Sequence, residues 1–184
     1  MRVIGGVAKG RRLLGAGRGR TRPIPDNVKK SLFDILTPYI PESRCLDLFA
    51  GTGAIGIEAL SRGAQWVTFV ECEPAMIRVI NGNLDVTGFK AQAEVIKGDV
   101  RRIIPVLHGK DEVSHIIFVD PPYGHGLVPV VLDILSIYNL LDPGGIVMAR
   151  HERRQEVPKI LGSLELARQE RYGDTVASFY TTKR

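Results

Sequence analysis

Cysteine is scarce in this chain, with two residues, Cys45 and Cys72, among 184. Neither belongs to a C-x-x-C pair or neighbours a histidine cluster, which argues against a disulfide scaffold and gives no zinc motif or other metal site. Both lie in apolar, strand-like runs and read as buried reduced thiols. Long apolar runs are also missing. None approaches the roughly 18 residues of a membrane-spanning helix, and the opening MRVIGGVAKGRR has no apolar core of a signal peptide. The expectation is therefore a cytoplasmic protein. Internal repeats are absent, as are low-complexity segments beyond a Gly/Arg-rich start and any linker between two full domains. Apolar content of 44% and charged content of 24% describe a globular chain. At this length roughly 70% of the unfolded surface is buried on folding.

Charge is plentiful but lopsided. Residues 1–30 hold nine basic side chains and one acid, Asp26. The remaining 154 residues hold 16 basic and 19 acidic side chains. A basic arm on a slightly acidic body points to a polyanionic partner, because Lys and Arg that neutralise phosphates release condensed counterions. Arg2, Lys9, Arg11, Arg12, Arg18, Arg20 and Arg22 are the candidate nucleic-acid contacts, with glycines between them that let the backbone approach a phosphate surface. Such an arm is expected to be mobile when free.

After the arm, Asp26 can cap a helix whose apolar stripe is Val28, Leu32, Ile35 and Leu36, ended by Pro38 and Pro41. Residues 45–49, 67–71, 93–96, 115–120 and 146–149 read as strands, and residues 54–61, 74–86, 100–107 and 127–138 as helices between them. Strands separated by helices run parallel, so the fold class is α/β with a doubly wound, mostly parallel sheet. Two β-rich runs, 163–171 and 175–182, meet at Gly173-Asp174 and close one edge as an antiparallel hairpin.

Between the first strand and its helix, Gly51-Thr52-Gly53-Ala54-Ile55-Gly56 matches G-x-G-x-x-G, and Glu71 ends the second strand. Glycines there allow a tight turn and close ligand approach, while the acid accepts hydrogen bonds from ribose hydroxyls. The fingerprint alone fits NAD or S-adenosylmethionine. Asp47, inside the first strand, favours the latter, because a carboxylate repels a pyrophosphate but attracts an amino group and a sulfonium. Asp99, after the third strand, can cap a helix and accept from an adenine amine. The expected cofactor site comprises Asp47, Phe49, Gly51, Thr52, Gly53, Gly56, Glu71, Cys72, Asp99 and Val100.

The fourth strand ends in Asp120-Pro121-Pro122-Tyr123. An exocyclic nucleobase amine is a poor nucleophile until its lone pair leaves conjugation. Asp120 can accept one of its N–H groups and the Pro121 carbonyl the other. Prolines hold the turn rigid and offer no competing N–H. Tyr123 supplies a stacking face for an unstacked base.

MRVIGGVAKGRRL, TRPIPDNVKKSLFDIL, CLDLFAGTGAIGIEALSRGA, FVECEPAMIRVINGNL, VDPPYGHG and RYGDTVASFY together resemble the RsmD-type 16S rRNA guanine-N2 methyltransferases of bacteria, nearly end to end. The resemblance implies a class I Rossmann-like methyltransferase that uses S-adenosylmethionine to methylate one guanine amine in small-subunit rRNA, free or within a small ribosomal subunit or an assembly intermediate. It implies that Asp47, Gly51, Gly53 and Gly56 line the cofactor, Glu71 its ribose and Asp99 its adenine, with residues 120–123 as the catalytic clamp. Residues 1–25 would be a basic RNA-binding extension and residues 26–184 the catalytic domain. Where the family commonly carries an acid at the end of the fifth strand, this chain has Arg150, followed by His151 and Glu152; His151 reads as a surface histidine.

Three rivals remain at this level. A DNA adenine-N6 or cytosine-N4 methyltransferase would share the clamp but usually needs a recognition domain for which this chain has no room; folded RNA supplies its own shape. An NAD(P)-dependent oxidoreductase would use the glycine loop and leave residues 120–123 unexplained. A non-catalytic rRNA-binding assembly protein would need only the arm.

Overall fold

The computed structural model describes residues 1–15, 17 and 24–183. Continuous apolar runs become strands here because both faces of an internal parallel strand are covered. The five expected parallel strands form as β1 (Arg44–Leu48), β2 (Trp66–Glu71), β3 (Ala93–Lys97), β4 (Ser114–Val119) and β5 (Leu141–Glu152). Between them run α2 (Ala54–Ser61), α3 (Pro74–Thr87), α4 (Val100–His108) and α5 (Leu127–Ile137), preceded by α1 (Asp26–Leu36). The C-terminal hairpin is β7 (Leu164–Tyr172) and β8 (Thr175–Thr182), turned at Gly173 with φ of 62°. One sheet holds all eight strands in the order β3-β2-β1-β4-β5-β8-β7-β6, with β5–β8, β8–β7 and β7–β6 antiparallel.

Each face of the sheet has its own core. Cys45, Val67, Phe69, Ile116, Phe118 and Met148 pack with α1, α2 and α3 through Leu32, Phe33, Ile57, Leu60 and Ile80. Leu46, Leu48, Val70, Ile117, Val119 and Val147 pack with α4 and α5 through Val100, Ile104, Val131 and Leu132. Among the described residues no helix is long and apolar enough to cross a membrane.

Four features depart from the sequence reading. β5 begins five residues before the expected start, because Asp142-Pro143-Gly144-Gly145 continues the strand across a register shift opposite Ser114 and Ile116. A two-residue strand, β6 (Ile160–Leu161), pairs with β7. Asp26 does not cap α1; the cap position is Pro25, and the Asp26 carboxylate pairs with Arg2 at 3.0 Å.

The fourth departure is the largest. Residues 1–15 are not a loose arm: Val3, Ala8 and Leu13 are buried in the α1–α2–α3 core, and Arg2 and Arg12 form an antiparallel bridge. The Val7 N–H donates to the Ser61 carbonyl at 2.7 Å, and the Ser61 hydroxyl donates to the Gly5 carbonyl at 2.6 Å. Gly6 is fixed by this contact, since a Cβ there would lie 1.6 Å from the Ser61 oxygen and its φ is +73°. The segment's basic residues and glycines hid the packing of its apolar side chains.

Candidate active site

Strand order reverses between β1 and β4, where Leu48 is in register with Val119. In open α/β sheets ligands bind outside the carboxyl ends of the strands at such a point. Asp47, the loop from Phe49 to Gly53, Glu71, Asp99 and the Asp120–Tyr123 turn all fall on this edge.

The loop backbone is shaped for close approach. Phe49, Gly51 and Gly53 have φ of 63°, 56° and 75°; for Phe49 this is a sparsely populated conformation of the kind found at functional sites. A Cβ on Gly51 would meet only the Phe49 oxygen, at 3.9 Å, so its surface is open. Gly56 is different: a Cβ there would sit 2.3 Å from the Phe69 ring, so this glycine serves helix-on-strand packing. Its N–H donates to Asp47 Oδ2 at 3.0 Å. Asp47 is 1% exposed, and burial pushes its carboxyl up to about 8, with the charges of Asp120 and Glu71 adding to the rise and the Gly56 N–H opposing it.

Glu71 is held by the loop backbone. Oε2 accepts from Gly51 N–H at 2.8 Å, and Oε1 accepts from Cys72 and Glu73 N–H at 2.8 and 2.9 Å. Cys72 is exposed, against the expectation of a buried thiol, because β2 ends one residue before it. Cys45 is buried as expected, and burial pushes its thiol up to about 12. Thr52 lies beside this acid-bearing loop, with its carbonyl held by Asn83 and its hydroxyl directed at Met1 Sδ, 3.7 Å away. Asp99 caps α4 through the Arg101 N–H at 2.9 Å, and its hydrogen bonds to Arg101 hold its carboxyl down at about 2. Val100 is 3% exposed, with its side chain in the core.

Beyond β4, Pro121 is buried while Pro122 and Tyr123 are exposed. Asp120 is not open. Arg150 on β5 donates Nε–H to Oδ1 at 2.7 Å and Nη2–H to Oδ2 at 2.9 Å. Burial pushes the Asp120 carboxyl up, and the charge and hydrogen bonds of Arg150 pull it back. The Tyr123 hydroxyl shares a 2.8 Å hydrogen bond with Thr175 Oγ1 on the hairpin.

His151 is 2% exposed, not a surface residue: Nε2 contacts Ser178 Oγ at 2.8 Å, because this part of β5 is covered by β8. The sequence reading also missed a buried ion cluster. Glu58 is fully buried, 3.1 Å from Lys29 Nζ and 2.9 Å from Arg62 Nε, and accepts the Ile4 N–H at 2.9 Å. Single charges inside apolar helical stripes, Lys29 in α1 and Glu58 in α2, were the available signal. Asn83 was missed as well; it donates to the Leu14 and Thr52 carbonyls at 3.2 and 2.9 Å and accepts the Leu14 N–H at 2.6 Å.

Of the candidate nucleic-acid contacts, Arg2 pairs with Asp26 while Lys9, Arg11 and Arg12 are exposed. Arg18, Arg20 and Arg22 lie outside the described residues.

The sequence profile of conserved hypothetical protein 95 matches residues 1–181. The chain is 37% identical over 180 residues to YlbH of Bacillus subtilis, covering 98% of both. It is 32% identical to ribosomal RNA small subunit methyltransferase D of Escherichia coli, covering 98% of this chain and 89% of the relative. A solved structure of a hypothetical protein from Thermus thermophilus is similar at 29% identity with a TM-score of 0.87, covering 99% of each chain.

Proposed function

Because this chain belongs to the conserved hypothetical protein 95 family, the RsmD family, we propose that it transfers a methyl group from S-adenosylmethionine to the N2 amine of one guanine in small-subunit (16S) rRNA. The observation that carries the reading is the meeting of three carboxylates, Asp47, Glu71 and Asp120, at the sheet's switch point, close enough for the latter two to raise Asp47. A cationic ligand favours ionisation of Asp47, which is otherwise held protonated, so this edge suits a ligand with an amino group and a sulfonium better than a pyrophosphate.

The donor supplies an activated methyl group when bound. The chain's own residues do the rest. Asp47 and the Gly51 backbone would meet the donor's cationic groups, Glu71, already bonded to Gly51, would offer its remaining lone pairs to ribose hydroxyls, and Asp99 would accept from the adenine amine. Phe49, Thr52, Gly53 and Cys72 would border this space, with Gly53 packed from behind by Ile80 and Phe69, while Gly56 and Val100 would support it from the core. Asp120 and the Pro121 carbonyl accept the two N–H groups of the target amine, turn its lone pair toward the methyl carbon and stabilise the positive charge that develops. Tyr123 stacks on the extruded base. Lys9, Arg11 and Arg12, with Arg18, Arg20 and Arg22, contact rRNA phosphates, on an RNA already folded within a small subunit or an assembly intermediate.

The test is transfer of labelled methyl from S-adenosylmethionine to small-subunit rRNA, to assembled subunits lacking the modification, and to duplex DNA, followed by nucleoside analysis. N2-methylguanosine in an rRNA sample alone is the expected result. Label in DNA adenine or cytosine would transfer the protein to the DNA-modifying class. An Asp120→Ala variant that loses both transfer and RNA binding equally would favour a non-catalytic binding role.

A further inference from the structure

One planar side chain fills both halves of the clamp assigned to the target base. The Arg150 guanidinium binds Asp120 side-on through two adjacent N–H donors, at 2.7 and 2.9 Å. It also lies over the Tyr123 ring, with its central carbon 5.5 Å from the ring centroid. The arrangement is sequestered, Arg150 and Asp120 being 14% and 11% exposed, and the ring is tied to Thr175 through its hydroxyl. A planar fork of donors meeting a carboxylate while stacked on an aromatic face is the characteristic use of arginine.

The same pattern exists on one standard base. The Watson–Crick edge of guanine carries two adjacent donors, N1–H and N2–H. Adenine and cytosine place an acceptor nitrogen next to their amine, and uracil flanks its single N–H with two carbonyls, so none of them can donate twice to one carboxylate. Resting on the reading that a nucleobase amine is the acceptor, we propose that Arg150 holds the place of the target base, and that guanine replaces its guanidinium group for group on Asp120 and Tyr123. In the exchange two N–H bonds from Arg150 to the carboxylate give way to two from guanine. Asp120 thereby selects guanine over adenine and cytosine, and Arg150 keeps the buried carboxylate paired until the base arrives. Arg150 is then a competitor for the base, and its removal strengthens base binding.

The test is calorimetric binding of guanosine, adenosine and cytidine monophosphates to the wild-type protein and to Arg150→Ala and Arg150→Lys variants. If the latched form predominates by about ten to one, Arg150→Ala binds guanosine monophosphate about tenfold more tightly. Adenosine and cytidine monophosphates gain nothing, and free guanidinium ion at millimolar concentration competes with guanosine monophosphate in that variant. Arg150→Lys keeps a cation without the fork, so its affinity falls between the two; it decides the matter if the alanine variant does not fold. Unchanged or weaker guanosine monophosphate binding in a folded variant, an equal gain for the adenosine nucleotide, or no competition by guanidinium would each overturn the proposal. Failure of the wild-type protein to methylate any RNA would instead remove the functional reading, which this binding measurement does not use.

Discussion

Two regions of this molecule bury acids, and they treat them in opposite ways. At Glu58 the carboxylate is surrounded: Lys29 and Arg62 lie within 3.1 and 2.9 Å, and a backbone N–H from the N-terminal segment completes the shell. At the switch point Asp47 has one backbone N–H, no ion pair among the described residues, and two further acids nearby. Burying a carboxylate without a cation is expensive, so Asp47 holds its proton far above the ordinary carboxylate range, a shift of the kind found at functional sites. Glu58 is a finished structural joint between residues 1–15 and the body, whereas no ion pair joins Asp47 to a described residue.

The sharpest way to break the contrast is Lys29→Ala, which leaves Glu58 buried and half-paired; a loss of about 3–5 kcal/mol is expected, read by denaturant unfolding. Asp120→Ala should instead fold and lose function, with kcat for methyl transfer falling about 10²–10³-fold while rRNA binding, read by filter retention, persists. Asp47→Asn tests the unpaired acid directly, and S-adenosylmethionine affinity should fall roughly ten- to a hundredfold by calorimetry. Its stability should move the other way. The folded chain keeps a proton on Asp47 up to about pH 8, whereas the ordinary value is 3.8, so wild-type stability drops as pH rises between these values. The melting temperature of Asp47→Asn should therefore gain on wild type across that window and level off above it. The smallest effect is expected at the basic segment: Lys9, Arg11 and Arg12 changed together to Ala should leave the fold intact and reduce the slope of log affinity for rRNA against log salt by about 2.

The parallel half of the sheet was legible because most of its strands carry short apolar runs between helices, and α2 begins and ends at the expected residues, Ala54 and Ser61. The acids of the site were legible for a related reason: Asp47 lies within an apolar strand, and Glu71 and Asp120 stand at or just past the ends of two others, where a charge is out of place. Pairings across the fold were not. The Arg150–Asp120 bridge joins residues 30 apart and the Asn83 contacts join residues 69 and 31 apart, and no local pattern encodes such partners. His151 and Ser178 meet only because β8 lies beside β5. The N-terminal segment misled because its basic residues and glycines drew attention away from the apolar side chains, Val3, Ala8 and Leu13 among them, that anchor it.

Asn83 places one amide between Leu14 and Thr52, so a single side chain joins the end of the basic segment to the glycine loop. Thermodynamic reciprocity then applies to a nucleic acid held on residues 1–15 and a small molecule held at the glycine loop. If a nucleic acid drawn onto residues 1–15 shifts the arrangement of this amide, it changes the loop's affinity for its small molecule by some factor, and the small molecule must change nucleic-acid affinity by that same factor.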